Sequence, residues 1–383
     1  MKIGILYPRS KAHPDMMADF NDGIKLALKH FGVTNHIELI TESIGYGEDE
    51  KQVFEKAEKL LTLESVDLLI AYIDLRVISI LEPLLYASKK LMIVVNPGAN
   101  YPENQPTHPY IIYLTLQHSF LCWLTGLLAS NNKEGGAALA TSFYDAGYLH
   151  IAAITTGYVN SGGSIRYNYV NNSRYNETFE IGPLTGFLST EKETQNLLCV
   201  FDVKPAALFL DRLNKYKESD QLQIFGSPMV LDSKAWEGTD NGFHFSIEGY
   251  LPYHAAAENA TNVEFRNIFT AHTKREPSVF ALLGWEAATI IAEVFNNCKH
   301  RYADGTFIIA FLKTTVINSP RGSLKLDSET HFLRAPVFRG TVQHYSTAII
   351  ITPVNNVDEA WDKFVNNPVE GPSSGWKNTY LCY

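Results

Sequence analysis

This chain reads as an α/β protein of two lobes, each a doubly wound and mostly parallel sheet, on three grounds. Short apolar runs that break into small and polar residues alternate with helix-length segments. Val66-Asp67-Leu68-Leu69-Ile70-Ala71 leads into Tyr72-Ile73-Asp74, and Leu91-Met92-Ile93-Val94-Val95 leads into Asn96-Pro97-Gly98-Ala99, with a helical stretch over 77–88 between them. Such runs are strands buried on both faces and joined by right-handed crossovers, so their polar tips converge on the sheet edge where ligands sit. Second, 383 residues exceed what one core usually fills. Third, no tandem repeat or long flexible linker divides the chain, which implies several passages between lobes through a strand-built hinge.

The first strand, 3–7, gives way to loop 8–13 and a helix. Met16, Met17, Phe20, Ile24, Ala27, Leu28 and Phe31 form its apolar face at spacings of three and four. Pro14 suits its first turn and Gly32 its exit. A second strand, 37–41, and loop 42–47 precede a helix over 50–63. That helix turns Val53, Phe54, Ala57, Leu60 and Leu61 inward and sets Glu55 and Lys59 to pair outside. The strand ending at Val95 completes half a doubly wound sheet. Residues 101–109, rich in proline and without periodicity, form a surface loop.

A second series follows the segment 110–116. Helix 119–129 carries Phe120, Trp123, Leu124, Leu127 and Leu128, and precedes strand 137–141 and loop 142–147. A helical stretch reaches Val159, and strand 164–170 comes next. Residues 206–210 and 222–226 read as two further short buried strands, while the polar stretch 171–186 supports no assignment. The segment 243–250 leads to helix 263–272, with Phe265, Ile268, Phe269 and His272 on one face. Helices 284–296 and 306–313, then turns and β-like segments over 323–353, close the ordered part. Residues 355–383 read as a polar peripheral tail.

Composition excludes several functions. Hydrophobic content of 45% with 19% charge describes a well-buried globular chain. A formal charge of −9, with no local cluster of Lys and Arg, argues against nucleic acid. No run approaches the roughly 18–20 apolar residues of a membrane span, since 281–295 is interrupted by Glu286 and Glu293. The first strand starts at once, so the chain is either cytoplasmic or an exported protein with its leader removed. Cys122 and Cys199 sit in apolar surroundings as core thiols; Cys298 and Cys382 have polar neighbours and can pair if the protein is exported. The histidines, among them His108, His118, His150 and His254, show no metal-ligand spacing. No cofactor is implied: GxGxxG after the first strand and GxxxxGK[ST] are both missing.

The order of segments resembles the type I periplasmic binding proteins, the leucine/isoleucine/valine-binding group of ABC-transporter solute receptors. The residues that carry the likeness run through most of the chain. They are Ile3-Gly4-Ile5-Leu6-Tyr7-Pro8-Arg9-Ser10, Asn21-Asp22-Gly23-Ile24-Lys25-Leu26-Ala27-Leu28, Lys59-Leu60-Leu61, Asn96-Pro97-Gly98-Ala99 and Asp145-Ala146-Gly147-Tyr148. The best match is Pro277-Ser278-Val279-Phe280-Ala281-Leu282-Leu283-Gly284-Trp285-Glu286-Ala287-Ala288. The resemblance implies two lobes joined by three crossovers, near 116–119, 246–250 and 322–333, closing on a ligand. One lobe would comprise 1–117 with 250–322, the other 118–249 with 323–383. Departures are the loose match at Glu42-Ser43-Ile44-Gly45-Tyr46-Gly47, a short stretch 203–216, and Arg9 where the family is often uncharged.

A cleft receptor needs a few polar groups on rigid strand ends among apolar walls. In Asn96-Pro97-Gly98-Ala99, Gly98 lets backbone approach closely and Asn96 donates and accepts; the alternative is a simple turn. Tyr72 and Asp74 end the preceding strand, where Asp74 either meets ligand or caps the next helix. Arg9 and Ser10 extend the first strand; Arg9 takes a carboxylate or stands in solvent. Tyr144, Asp145 and Tyr148 would face them from the second lobe as a stacking or lid surface, or simply pack. Ser227 and Met229 share that positional argument. Trp285 fits a cleft contact, while Glu286 either binds a ligand ammonium or favours a helix N-terminus.

The expected function is capture of a small polar ligand (amino acid, amide or small carboxylate) for handover to the membrane permease of an ABC transporter, outside the cytoplasm. A cytoplasmic ligand-sensing regulator is the alternative. An enzyme with an interlobe site is a third reading, which a carboxylate pair such as Asp145 and Glu286 would have to serve.

Overall fold

The computed structural model describes residues 1–47, 49–99, 107–143, 149–171, 179–236, 242–299 and 301–367, except the Arg76 side chain. The first five strands are β1 (Lys2–Tyr7), β2 (Glu38–Ser43), β3 (Leu68–Tyr72), β4 (Leu91–Asn96) and β5 (Ile111–Thr115). They form one parallel sheet in the order β2-β1-β3-β4-β5. Helices α1 (Met16–His30), α2 (Glu50–Glu58) and α3 (Ile78–Ser88) connect them. The apolar strands alternate as their pleat requires: Ile3, Ile5, Ile70 and Ile93 enter one core, Leu6, Leu69, Ala71 and Met92 another. The helix expected over 50–63 ends its α-helical part at Glu58 and continues as a wider π turn. Lys59 reaches Glu42 instead of Glu55, which lies 3.7 Å from Lys51.

The chain then leaves for a second sheet. After α4 (His118–Ala129) come β6 (Ala137–Ser142), α5 (Leu149–Val159), β7 (Ile165–Asn171), α6 (Gly182–Thr190), β8 (Asn196–Val200), α7 (Val203–Asn214), β9 (Gln223–Gly226) and β10 (Ser246–Leu251). Strands β7-β6-β8-β9-β10 run parallel. Residues 206–210, expected as a strand, belong to α7; the strand is Asn196–Val200. Asp202 caps α7 by accepting from Val203 N at 2.7 Å, and Ala206, Phe209, Leu210 and Leu213 recur at helical spacing. A short apolar run alone cannot tell strand from helix.

After β10 the chain returns to the first sheet with α8 (Ala260–Thr273), α9 (Val279–Asn297) and α10 (Gly305–Leu312). Two glycines let α1 and α9 touch backbone to backbone. A Cβ on Gly23 would lie 2.2 Å from Ala281 O, and one on Gly284 2.1 Å from Phe20 O. By length and composition α9 is apolar enough to cross a membrane, contrary to the expectation, but 78% of that stretch is buried within the fold. Strands β11 (Val316–Ser319), β12 (Gly322–Leu326) and β13 (Leu333–Arg334) make a small antiparallel sheet. Leu324, Leu326 and Leu333 join the first sheet's core, so the last return to the second sheet follows β13.

Strands β14 (Phe338–Val342) and β15 (Ile349–Pro353) extend the second sheet antiparallel, beyond β10. The expected polar tail contains α11 (Val357–Asn366), whose Trp361 and Phe364 are buried against Phe120 at 5.3 Å between ring centres. Residues 368–383, with Cys382, lie outside the described residues. Among the described residues Cys298 forms no disulfide, nor do Cys122 and Cys199, whose burial pushes their thiols up.

Candidate functional site

Each parallel sheet has a point where strand order reverses. In the first it lies between β1 and β3, in the second between β6 and β8. Outside the carboxyl ends of strands at such a point the flanking loops diverge and leave a crevice. The loop after β1 carries Arg9, Ser10 and His13; the tip of β8 carries Asp202. These two places meet: His13 Nε2 lies 3.4 Å from Asp202 Oδ1. Met229, in the turn after β9, is 2% exposed and packs into the first sheet's core with Tyr253, Phe265 and Phe280. The rims of the two sheets therefore face and touch one another.

On the first rim, the Arg9 side chain is exposed, and its backbone N donates to Gly45 O at 2.5 Å. Ser10 Oγ accepts from His13 N at 3.1 Å and so holds the loop's turn. Tyr72 is buried edge-on to Phe20, with ring centres 5.6 Å apart; burial pushes its phenol up, and the hydroxyl has no hydrogen-bond partner among the described residues. Asp74 is buried, and its carbonyl accepts from Val77 N at 3.2 Å where the next helical turn begins.

Asn96 spends its amide on structure. Its Nδ2 donates to Ile73 O at 3.2 Å and its Oδ1 accepts from Gly98 N at 2.8 Å, which ties the tips of β3 and β4 together. The next three carbonyls cap α4. Pro97 O accepts from His118 N (3.1 Å), Gly98 O from Ser119 N (2.8 Å), and Ala99 O from Ser119 Oγ. Gly98 has φ +77° and stands so close to α4 that a Cβ would lie 2.7 Å from Gln117 N. The Asn96 side-chain amide, expected to donate and accept toward a ligand, is thus engaged within its own rim.

On the second rim, Tyr144, Asp145 and Tyr148 lie outside the described residues. Ser227 is fully buried; its N donates to Cys199 O at 2.8 Å, and its Oγ has no hydrogen-bond partner among the described residues. Two expectations need correction. Trp285 is 1% exposed in the core between Phe265 (5.1 Å) and His30 (5.4 Å), because the α1–α9 contact closes over it. Glu286 does not stand at a helix start, since α9 begins at Val279. Its carboxylate is gripped by Arg321, Nε to Oε1 at 2.8 Å and Nη2 to Oε2 at 2.7 Å, with both side chains shut off from solvent.

That ion pair belongs to the hinge. Arg321 Nη1 donates to Thr115 O at 3.0 Å, where β5 hands over to α4. Next to it Gln117, at φ +56°, accepts from Ala335 N at 3.1 Å through Oε1, so the first passage between sheets is fastened to the last. Sequence reasoning missed His13, Asp202, Gln117 and Arg321. For Asp202 a signal existed, an Asp three residues ahead of Pro205 in the manner of a helix cap. Arg321 finds its partner 35 residues away, which no local pattern reveals.

Charge continues along the seam. Burial pushes the Asp232 carboxyl up, partly offset by Lys234 N donating to it at 2.9 Å. Burial holds His254 down, against the pull of Asp232. His150 is held down to about 4 by burial, with Asp202 acting the other way.

Residues 1–346 match the family model described as periplasmic binding protein. No curated protein sequence matches the chain. Several solved structures share the fold. A solute binding protein of an ABC transporter from Rhodopseudomonas palustris BisB5, in complex with 3,4-dihydroxybenzoic acid, is 19% identical, covers 92% of this chain and 96% of its own, and superposes with a TM-score of 0.71. An ABC transporter substrate-binding protein from Sphaerobacter thermophilus is 18% identical over 93% and 97%, with a TM-score of 0.76. The branched-chain amino acid transporter substrate binding protein from Streptococcus pneumoniae, in complex with isoleucine, is 14% identical over 92% and 99%, with a TM-score of 0.66.

Proposed function

The chain belongs to the periplasmic binding protein family, and from that premise we propose that it is a receptor for a small polar ligand held between two lobes. The observation that carries this reading is the meeting of two switch-point rims, one from each sheet, at His13 and Asp202. In this reading one lobe is built on the first sheet with α8 to α10 and β11 to β13, and the other on the second sheet, with β10, β14 and β15 included. Neighbours of the same fold hold a dihydroxybenzoate and isoleucine. Both ligands bear a carboxylate, which supports amino acids, amides and small aromatic or aliphatic acids as the classes to try. Exposed Arg9 on the first rim is a fitting partner for a carboxylate.

Family and neighbours together support a binding role without turnover, a location outside the cytoplasm and delivery to a membrane permease. Thermal unfolding against a panel of amino acids, amides, benzoates and sugars tests the reading. A true ligand at a hundred times its Kd adds about 2.7 kcal/mol, so the melting temperature climbs with concentration. A panel that moves it nowhere would count against the receptor.

A further inference from the structure

We propose that His13 and Asp202 form a proton-operated latch across the cleft, so that protonation of His13 draws the two lobes together before any ligand enters. The proposal rests on the receptor reading, since it concerns closure of the same cleft, and adds a control to it.

Each partner is held by its own lobe. The His13 ring stands edge-on to Phe280, with centres 5.5 Å apart, at the start of α9, and its backbone N is anchored on Ser10 Oγ. Asp202 is 4% exposed and its Oδ1 is committed to capping α7. Neither group can follow the other when the lobes part, so their 3.4 Å approach belongs to the closed arrangement alone. With a neutral imidazole that approach is a weak polar contact. With an imidazolium it becomes a charge-assisted bond to a carboxylate screened from water.

A second carboxylate of the same lobe, Asp232, also faces His13. Asp232 is faced in turn by Lys234 and His254, His254 by Arg266, and Asp202 by His150, which burial keeps neutral. A histidine that meets carboxylates only when the lobes close binds its proton more tightly in that state. By linkage, protons then favour closure. Closure strengthens when His13 carries a proton and weakens again once its carboxylate partners lose their charge. A one-unit difference in proton affinity between closed and open forms changes the closing equilibrium about tenfold.

Small-angle X-ray scattering of the full chain, ligand-free and at low salt, reads this directly. Between pH 8 and pH 6 the radius of gyration should fall. Asp202→Asn keeps the cap on α7 and should lose most of the pH response, as should His13→Gln. His13→Lys, charged throughout, should stay compact across the range. A wild-type radius that ignores pH, or variants that keep the wild-type shift, would overturn the latch; if His13→Gln fails to fold by circular dichroism, Asp202→Asn decides. With no ligand in the cell, a flat profile leaves the receptor reading intact. A silent ligand panel removes that reading without touching the scattering result.

Discussion

At the scale of single residues, the buried pair Arg321–Glu286 carries the clearest energetic consequence. Each partner alone would be an uncompensated charge in a dry interior, so Arg321→Met should cost about 3–5 kcal/mol in urea unfolding. Changing Glu286 to Met as well should restore most of that loss, because the pair as a whole offsets little more than its own desolvation. A single variant within 1 kcal/mol of wild type, roughly the size of a surface pair, would contradict this account. His150 predicts the pH dependence of stability. Its folded value, held to about 4 by burial, lies below the unfolded one, so the unfolded chain binds the extra proton between them. Stability therefore rises with pH from about 4 to about 6.5. Replacing His150 by Gln should flatten that slope in unfolding free energies measured at pH 5, 6 and 7; an unchanged slope would reject it. Global stability and lobe closure thus respond to acid in opposite senses.

Very little at this scale was legible beforehand. Asn96 and Gly98 stand out in the sequence, and in the structure they tie strand tips and seat α4. Position along a strand reveals that a residue stands at the rim. It does not reveal whether a carbonyl 23 residues away will take up its amide, as Ile73 O does.

Helices and strands follow from pattern more faithfully. The apolar runs 68–72 and 91–96, each followed by small and polar residues, read as strands buried on two faces, and they are. The failures share one cause. Residues 206–210 are apolar for five positions, a length both a strand and a helix face can show, and the decision lay outside the run, in the cap at Asp202 and in Leu213 a turn later. Likewise the sequence reading starts this helix at Gly284, whereas α9 begins at Val279. Gly284 sits mid-helix to admit α1. Gly284→Val should force the two helices apart at a cost of about 1–3 kcal/mol, seen as a lower melting temperature with secondary structure by circular dichroism retained. If melting is unchanged, the close crossing is not needed.

For the whole molecule, alternation and length predicted two sheets, and the comparisons place the chain in a family built that way. How the lobes are threaded was harder to read, because passages between sheets are one to several irregular residues with no period. The hinge is fastened at two depths: Arg321 grips the end of β5, and Gln117 grips the segment after β13. Loosening it with Gln117→Ala should weaken ligand-induced compaction in scattering while leaving each sheet folded. Equal compaction in both proteins would show the fastening to be incidental.

The interleaving of α9 with the first sheet also matters while the polypeptide is being made. Strands β1 to β5 are finished by Thr115, yet α9, which covers their apolar side together with α1, begins only at Val279. At about 5–20 residues per second, a ribosome leaves the part of that surface that α1 does not cover waiting for on the order of ten seconds or longer. The nascent amino-terminal half is therefore an unfinished, adhesive object for much of its birth, and an easy quarry for chaperones.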